Sequence, residues 1–344
     1  MFRASNVTAL ALASALMAMA ANPAPQNSGT DHAAFDSLVA AERGFAVLSV
    51  EKGMKTAFLT YLASDGVIFR PGPVNGRSVW EKRPEPQATL VWEPSFAEVA
   101  GAGDMGWTTG PWEFRPAPER KLPTGYGHFV TVWKRVGDGN WRAAVDIGIS
   151  HERPERGVGS GAFVAGPLHP RPRARPRSGF GVFGGVQGGG TGLGVGVHTG
   201  GLTPREEEYA RAHQMNTLLA TERTHAFQLK TKGAARGYAA VAASDVRFYR
   251  EGSQPTVGVD AAVPWLEKRN AAIDWKRGGT IDWKTLGQGV SSSSDLGYVY
   301  GLVTTRHDAS ARPDTSSFVH IWRKDPRLKW KLAMDIENAF PKPE

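Results

Sequence analysis

Two stretches of the chain carry apolar residues at the three- and four-residue spacing of an amphipathic helix. The first covers residues 35–48 and ends before Gly53, and the second covers residues 209–219 and ends before Gly233. Each is followed by a second short helix pattern and then by runs that alternate between apolar and polar residues, which is typical of strands. Helices followed by a succession of strands predict an α+β fold, repeated along the chain.

The two halves also match position by position. Trp92 lies 12 residues before Asp104, and Trp283 lies 12 residues before Asp295. Further positions recur with identical spacing: Phe129, Trp133, Trp141 and Asp146 in the first half, and Phe318, Trp322, Trp330 and Asp335 in the second. The correspondence predicts one duplicated domain, copy 1 in residues 31–150 and copy 2 in residues 203–344.

Residues 151–202 separate the copies and are rich first in proline and arginine, then in glycine. They show no extended helical or strand periodicity, so they are predicted to form a linker. A G-x-G-x-x-G pattern at 179–184 lacks the strand–turn–helix context of a dinucleotide site. Residues 1–20 combine Arg3, an apolar run and a small-residue cleavage pattern, which predicts a signal peptide and a periplasmic or secreted protein. No other stretch is apolar enough to predict a transmembrane segment.

The composition excludes several classes of site. The net charge is +8, but six arginines against two glutamates fall in residues 151–203, so the basicity does not favour nucleic-acid binding. The absence of cysteine excludes disulfides and thiol catalysis. The nine histidines are scattered without metal-ligand spacing, so neither a metal nor a cofactor is expected.

The strings at residues 41–45, 57–65, 71–77, 90–94, 103–110 and 131–141 resemble those of the SnoaL-like, ketosteroid-isomerase-like superfamily. The nearest branch is the one known as domain of unknown function 4440. The resemblance implies the nuclear transport factor 2-like fold: tandem cone-shaped domains, each with three helices packed on a strongly curved antiparallel sheet around a pocket. Steroid isomerases of this superfamily carry an acidic base at the end of the first strand. Arg70 and Arg250 stand at that position here, and an arginine cannot abstract a proton.

Candidate site residues follow from charge and aromatic content. Asp146 lies mid-strand, where a carboxylate must face solvent, a partner or a wet pocket, and it is a candidate catalytic residue together with His128. An exposed or arginine-paired role for Asp146, and a structural role for His128, remain open as alternatives. Predicted ligand-binding residues share an expected position around the copy 1 pocket: Arg70, Trp92, Trp107, Trp112 and Trp133. A purely structural role for the tryptophans is the alternative, because large rings dominate small cores.

Two functions are consistent with these observations. The first is an exported protein that binds a small apolar or aromatic ligand, with an acidic group favoured by Arg70, and that carries out cofactor-free isomerase or lyase chemistry if it is an enzyme. The alternative is a non-catalytic interaction or scaffold module in which the two copies form an intramolecular pseudo-dimer.

Overall fold

A computed structural model of the chain describes residues 29–116, 122–155, 158, 161–169, 179–184, 193–198 and 204–341. The predicted signal peptide, residues 1–20, and the arginine run at 171–178 lie outside the described residues. We call the described residues up to 155 the first half and residues 204–341 the second half. Among the helices of these ranges, none combines the length and the apolar character that crossing a bilayer requires.

The first half begins with helices and continues as a meander of strands. Its elements are α1 (Gly29–Lys52), α2 (Met54–Tyr61), β1 (Leu62–Phe69), β2 (Pro73–Asn75), α3 (Gly76–Lys82), β3 (Thr89–Trp92), β4 (Phe96–Val99), β5 (Met105–Arg115), β6 (Gly125–Arg135) and β7 (Trp141–His151). Gly53 separates α1 from α2 with φ at 86°, a value that favours glycine. Asn75 caps α3 by accepting a hydrogen bond from the Ser78 backbone N–H at 2.9 Å.

Three strands fall between the halves, inside the predicted linker: β8 (Val164–Ala165), β9 (Gly179–Gly184) and β10 (Leu193–His198). β8 pairs in parallel with β4 and so extends the first sheet, and β9 pairs with β10 as a separate two-stranded sheet. The sequence analysis missed these strands because two- to six-residue runs with many glycines carry little periodicity.

The second half repeats the order of the first. Its elements are α4 (Pro204–Lys232), α5 (Ala234–Val241), β11 (Ala242–Arg250), β12 (Thr256–Val257), α6 (Val259–Ala271), a short 3-10 helix (Trp275–Arg277), β13 (Thr280–Val290), β14 (Leu296–Arg306), β15 (Asp314–Lys324) and β16 (Trp330–Ala339). Gly233 separates α4 from α5 with φ at 80°, as Gly53 does between α1 and α2.

The α+β prediction is confirmed, but both sheets are mixed rather than purely antiparallel. The strand order is β2-β1-β7-β6-β5-β4-β8 in the first sheet and β12-β11-β16-β15-β14-β13 in the second. The first and last long strands of each half, β1 with β7 and β11 with β16, lie side by side in parallel.

A β-bulge breaks the alternation predicted for the last strand of each half. Trp133 pairs with Ala143 and Val132 pairs with Val145, which leaves Ala144 as the extra residue. The sequence pattern placed Trp141, Ala143, Val145 and Ile147 on one face. The bulge instead turns Asp146 and Gly148 toward the helices and directs Val145 and Ile147 to the opposite face. β16 carries the same bulge at Ala333.

Each half has its own apolar core between the helices and the sheet. A further apolar cluster lies between the two sheets, and it includes Trp107 and Val130 of the first half and Tyr249, Tyr298 and Val319 of the second. The two halves therefore contact each other through the sheet faces that their helices leave uncovered.

Candidate functional site

A cavity of about 410 Å³ opens in the first half between the helices and the sheet. Its wall is largely aromatic and apolar, with rings from α2, α3 and the strands: Phe58, Trp80, Trp92, Trp112, Phe114 and Phe129. Polar groups reach the wall at a few points: Glu42, Arg70, Arg83, Thr131, Asp146, Ser150 and Asn338. An apolar cavity with a few polar groups is the usual form of a small-molecule site.

The structure brings four of the predicted site residues together at this cavity: Arg70, Trp92, Trp112 and Asp146. Trp133 lies behind the wall, fully buried, and its Nε1 donates to Glu42 Oε2 and to Thr108 Oγ1, each at 3.0 Å. Trp133 therefore contacts the site through Glu42 rather than through the cavity itself.

Trp107 and His128 do not lie at the cavity, because strand alternation turns both toward the second half. Trp107 packs in the cluster between the sheets and donates to Glu98 at 3.0 Å. His128 Nδ1 lies 2.8 Å from His151 Nε2, and the His128 ring lies 5.5 Å from the Tyr249 ring. Burial lowers the pKa of His128 to about 3, helped by His151 and Arg247. His128 thus belongs to the contact between the halves and not to the proposed acid–base site.

Asp146 is the polar group best placed for chemistry. Burial raises its pKa to about 6, against a hydrogen bond from Thr131 Oγ1 at 3.0 Å and the charge of Arg70. No ion pair within 4 Å joins Arg70 to Asp146 or to any other described residue, and the Arg70 Nη1 donates to its neighbour's carbonyl, Phe69 O, at 2.8 Å. A carboxyl group whose pKa lies near neutrality can both accept and donate a proton.

Glu42 is a site residue that the sequence analysis missed. Its carboxylate accepts hydrogen bonds from Trp92 Nε1 at 2.6 Å and Thr108 Oγ1 at 2.5 Å, besides that from Trp133. Burial outweighs these donors and raises the pKa of Glu42 to about 7. The signal was available, because Leu38, Glu42 and Phe45 share one face of α1 and an acidic residue on an apolar face is unusual.

The second half places ionisable groups where the first half has its cavity. Asp335 is the counterpart of Asp146. Its Oδ1 lies 2.8 Å from Arg250 Nη1 and 3.5 Å from His320 Nε2, and its Oδ2 accepts a hydrogen bond from the Tyr238 hydroxyl at 2.5 Å. Burial alone would raise the pKa of Asp335, but Arg250 and His320 hold it well below its usual value. The corresponding first-half residues of Tyr238 and His320 are Phe58 and Thr131, which leave Asp146 open to the cavity.

The comparisons with known proteins give information about the fold alone. No family model and no curated protein matches the chain. Among solved structures, a ketosteroid isomerase-like protein from Erwinia carotovora is 15% identical and covers 38% of this chain and 98% of its own, with a TM-score of 0.30. A nuclear transport factor 2-like protein with a cystatin-like fold from Novosphingobium aromaticivorans is 12% identical and covers 38% and 85%, with a TM-score of 0.33.

ActVI-ORFA from Streptomyces coelicolor is also similar, at 16% identity over 37% of this chain and 97% of its own, with a TM-score of 0.31. The chain thus has ketosteroid isomerase-like and nuclear transport factor 2-like neighbours, as its sequence strings predicted, and each spans little more than a third of it. Likenesses of this strength carry no argument about activity.

Proposed function

We propose that this protein is exported and binds a small, mainly aromatic or apolar molecule in the cavity of the first half. One contrast supports the proposal above all. Asp146 faces a cavity of about 410 Å³ among aromatic rings, whereas its counterpart Asp335 is enclosed by Arg250, Tyr238 and His320. The Asp146 carboxyl group accepts a hydrogen bond from Thr131, but in an apolar cavity it loses hydration without gaining a full set of partners, which is costly unless a ligand uses it.

Acid–base chemistry at Asp146 is the catalytic form of this proposal. With a pKa raised to about 6, Asp146 could take a proton from a bound carbon or oxygen acid near neutral pH. Glu42 lies on the same wall and also carries a raised pKa, so the two carboxyl groups would differ in protonation over the neutral range. This chemistry corresponds to an isomerase or lyase without a cofactor.

Calorimetric titration with uncharged bicyclic aromatics such as 2-naphthamide tests the binding proposal. The Trp112→Val variant introduces the residue type found at the corresponding second-half position, Val303. It should weaken binding about tenfold, because it removes an aromatic ring from the cavity wall whose contact with the ligand contributes about 1–2 kcal/mol of binding free energy. Trp283→Phe in the second half is the matched control and should leave the affinity within about twofold of the parent protein. Absence of binding to the parent protein, or equal losses in both variants, would contradict the proposal.

A second proposed role is structural, and a specific contact favours it. Asp104 accepts a hydrogen bond from the Ser292 N–H at 3.0 Å, and its counterpart Asp295 accepts one from the Gly101 N–H at 2.9 Å. Reciprocal contacts of this kind are typical of two-fold symmetric dimers. We infer an intramolecular pseudo-dimer in which the second half supports the first, and this role is compatible with ligand binding.

A further inference from the structure

Two arginines of the second half share one carboxylate. Arg250 Nη2 lies 3.0 Å from Glu337 Oε1, and Arg269 Nη1 lies 2.8 and 2.7 Å from the two oxygens of Glu337. The Arg269 guanidinium also lies over the Trp265 ring, 5.2 Å from its centroid. Glu337 is largely buried, so this carboxylate is an internal partner for both cations.

The first half keeps both arginines but not the carboxylate. Arg70 corresponds to Arg250, and Arg83 corresponds to Arg269, since Arg83 lies over the Trp80 ring at 5.0 Å in the same way. Glu337 follows Asp335 by two residues, and the residue that follows Asp146 by two is Gly148. Arg70, Arg83 and Gly148 all line the cavity, and within the described ranges neither guanidinium has an ion-pair partner.

We propose that Arg70 and Arg83 form an anion subsite of the cavity and bind the carboxylate of an aryl or alicyclic carboxylic acid, in the place that Glu337 fills in the second half. This inference rests on the proposed function and narrows its ligand to an apolar body that bears a carboxylate. Two guanidinium groups present several N–H donors to one carboxylate, and Arg250 and Arg269 surround Glu337 in this way.

The chain offers an internal competitor for this subsite. A Cβ added to Gly148 would lie 3.3 Å from His128 O and 3.4 Å from Trp112 Nε1, which is tight without overlap. Gly148→Glu would therefore place a carboxylate on the residue that corresponds to Glu337. Gly148→Ala adds the same Cβ without reaching the subsite and is the control.

Calorimetric titration with 2-naphthoate and its uncharged amide, 2-naphthamide, tests the subsite. The parent protein should bind the acid at least about tenfold more tightly than the amide, which is the scale of one charge-assisted contact. Arg70→Gln and Arg83→Gln should each lower the affinity for the acid about tenfold while changing that for the amide about twofold at most. Gly148→Glu should abolish the preference for the acid, and Gly148→Ala should retain it.

The outcomes separate the two proposals. Equal affinity of the parent protein for acid and amide, or loss of the preference in Gly148→Ala as well as in Gly148→Glu, would overturn the anion subsite and leave the cavity as a binding site. Failure of both compounds to bind would overturn the proposed function and the subsite together. Circular dichroism and thermal unfolding of each variant establish that a lost signal does not reflect an unfolded protein.

Discussion

Two neighbouring buried histidines of the second half should differ in how much stability their substitution costs. His320 Nδ1 lies 2.8 Å from Glu222 Oε1, and His320 Nε2 lies 3.5 Å from Asp335 Oδ1. Burial alone would lower the pKa of His320, but these two carboxylates raise it to about 10. The His225 ring lies 5.9 Å from the His320 ring, but burial and the charge of His320 lower its pKa to about 4. At pH 7, His320 is therefore charged and His225 is neutral.

The expected magnitudes follow from these charge states. His320→Gln removes the cation from a buried ionic network, and breaking such a network costs about 3–5 kcal/mol. At about 1.4 kcal/mol per pKa unit, the rise from 6.5 to about 10 corresponds to about 5 kcal/mol, at the upper end of that range. His225→Phe introduces the residue type found at the corresponding first-half position, Phe45. It removes no charge, so it should change the free energy of unfolding by about 1 kcal/mol at most.

Urea unfolding followed by fluorescence and circular dichroism measures both effects. Because the pKa of His320 is raised on folding, its stabilisation is fully present below pH 6.5 and is lost as the pH rises through about 10. The cost of His320→Gln should therefore be largest near pH 6 and shrink by pH 9. A cost below about 1 kcal/mol at pH 6, or an equal cost for His225→Phe, would refute the assignment of the charge to His320.

Three further predictions concern other buried or shared carboxylates. Burial raises the pKa of Glu42 to about 7, so the parent protein should lose stability as the pH rises from about 4.5 through 7. Urea unfolding at pH 5 and at pH 8 measures this loss, and the free energy of unfolding should change less between the two pH values in Glu42→Gln than in the parent protein. Burial opposes protonation of His169, but its 2.7 Å hydrogen bond with Glu98 and the charges of Glu98 and Asp295 together raise its pKa. His169→Gln should therefore cost more stability at pH 6 than at pH 9 by urea unfolding, and equal costs would contradict the pairing. Asp104→Ala and Asp295→Ala should each cost about 1 kcal/mol by thermal unfolding if the reciprocal loop contact holds the halves together, and a neutral pair of variants would argue against it.

The fold class could be predicted because it rests on many positions at once. Matched spacings from Trp92 to Asp146 and from Trp283 to Asp335 correspond to strands in the same order in both halves. Asp146 could be singled out because a carboxylate in an apolar strand is rarely without a partner or a wet cavity. These signals lie within one strand or recur in both copies, so they can be recognised without knowledge of tertiary contacts.

The sheet face toward which each side chain points was harder to predict, because one extra residue in a strand reverses it for the residues that follow. The bulge at Ala144 leaves no mark in the alternation of Trp141, Ala143, Val145 and Ile147, yet it decides which of them meet the helices. The error over His128 was avoidable from the same pattern. His128 and Trp133 fall on opposite faces of β6, so both could not line one cavity.

The comparison between the copies carries more information than either copy alone. In the second half, Asp335 and Glu337 neutralise Arg250 and Arg269 within a closed interior. In the first half Gly148 stands in place of Glu337, Phe58 lacks the hydroxyl with which Tyr238 donates to Asp335, and Thr131 lacks the charge of His320. Asp146 keeps a hydrogen bond from Thr131 but lacks counterparts of the Tyr238 and His320 contacts. Arg70 and Arg83, both exposed to solvent, lack the carboxylate that joins Arg250 and Arg269, so the first half has room for a carboxylate from outside the chain at this wall.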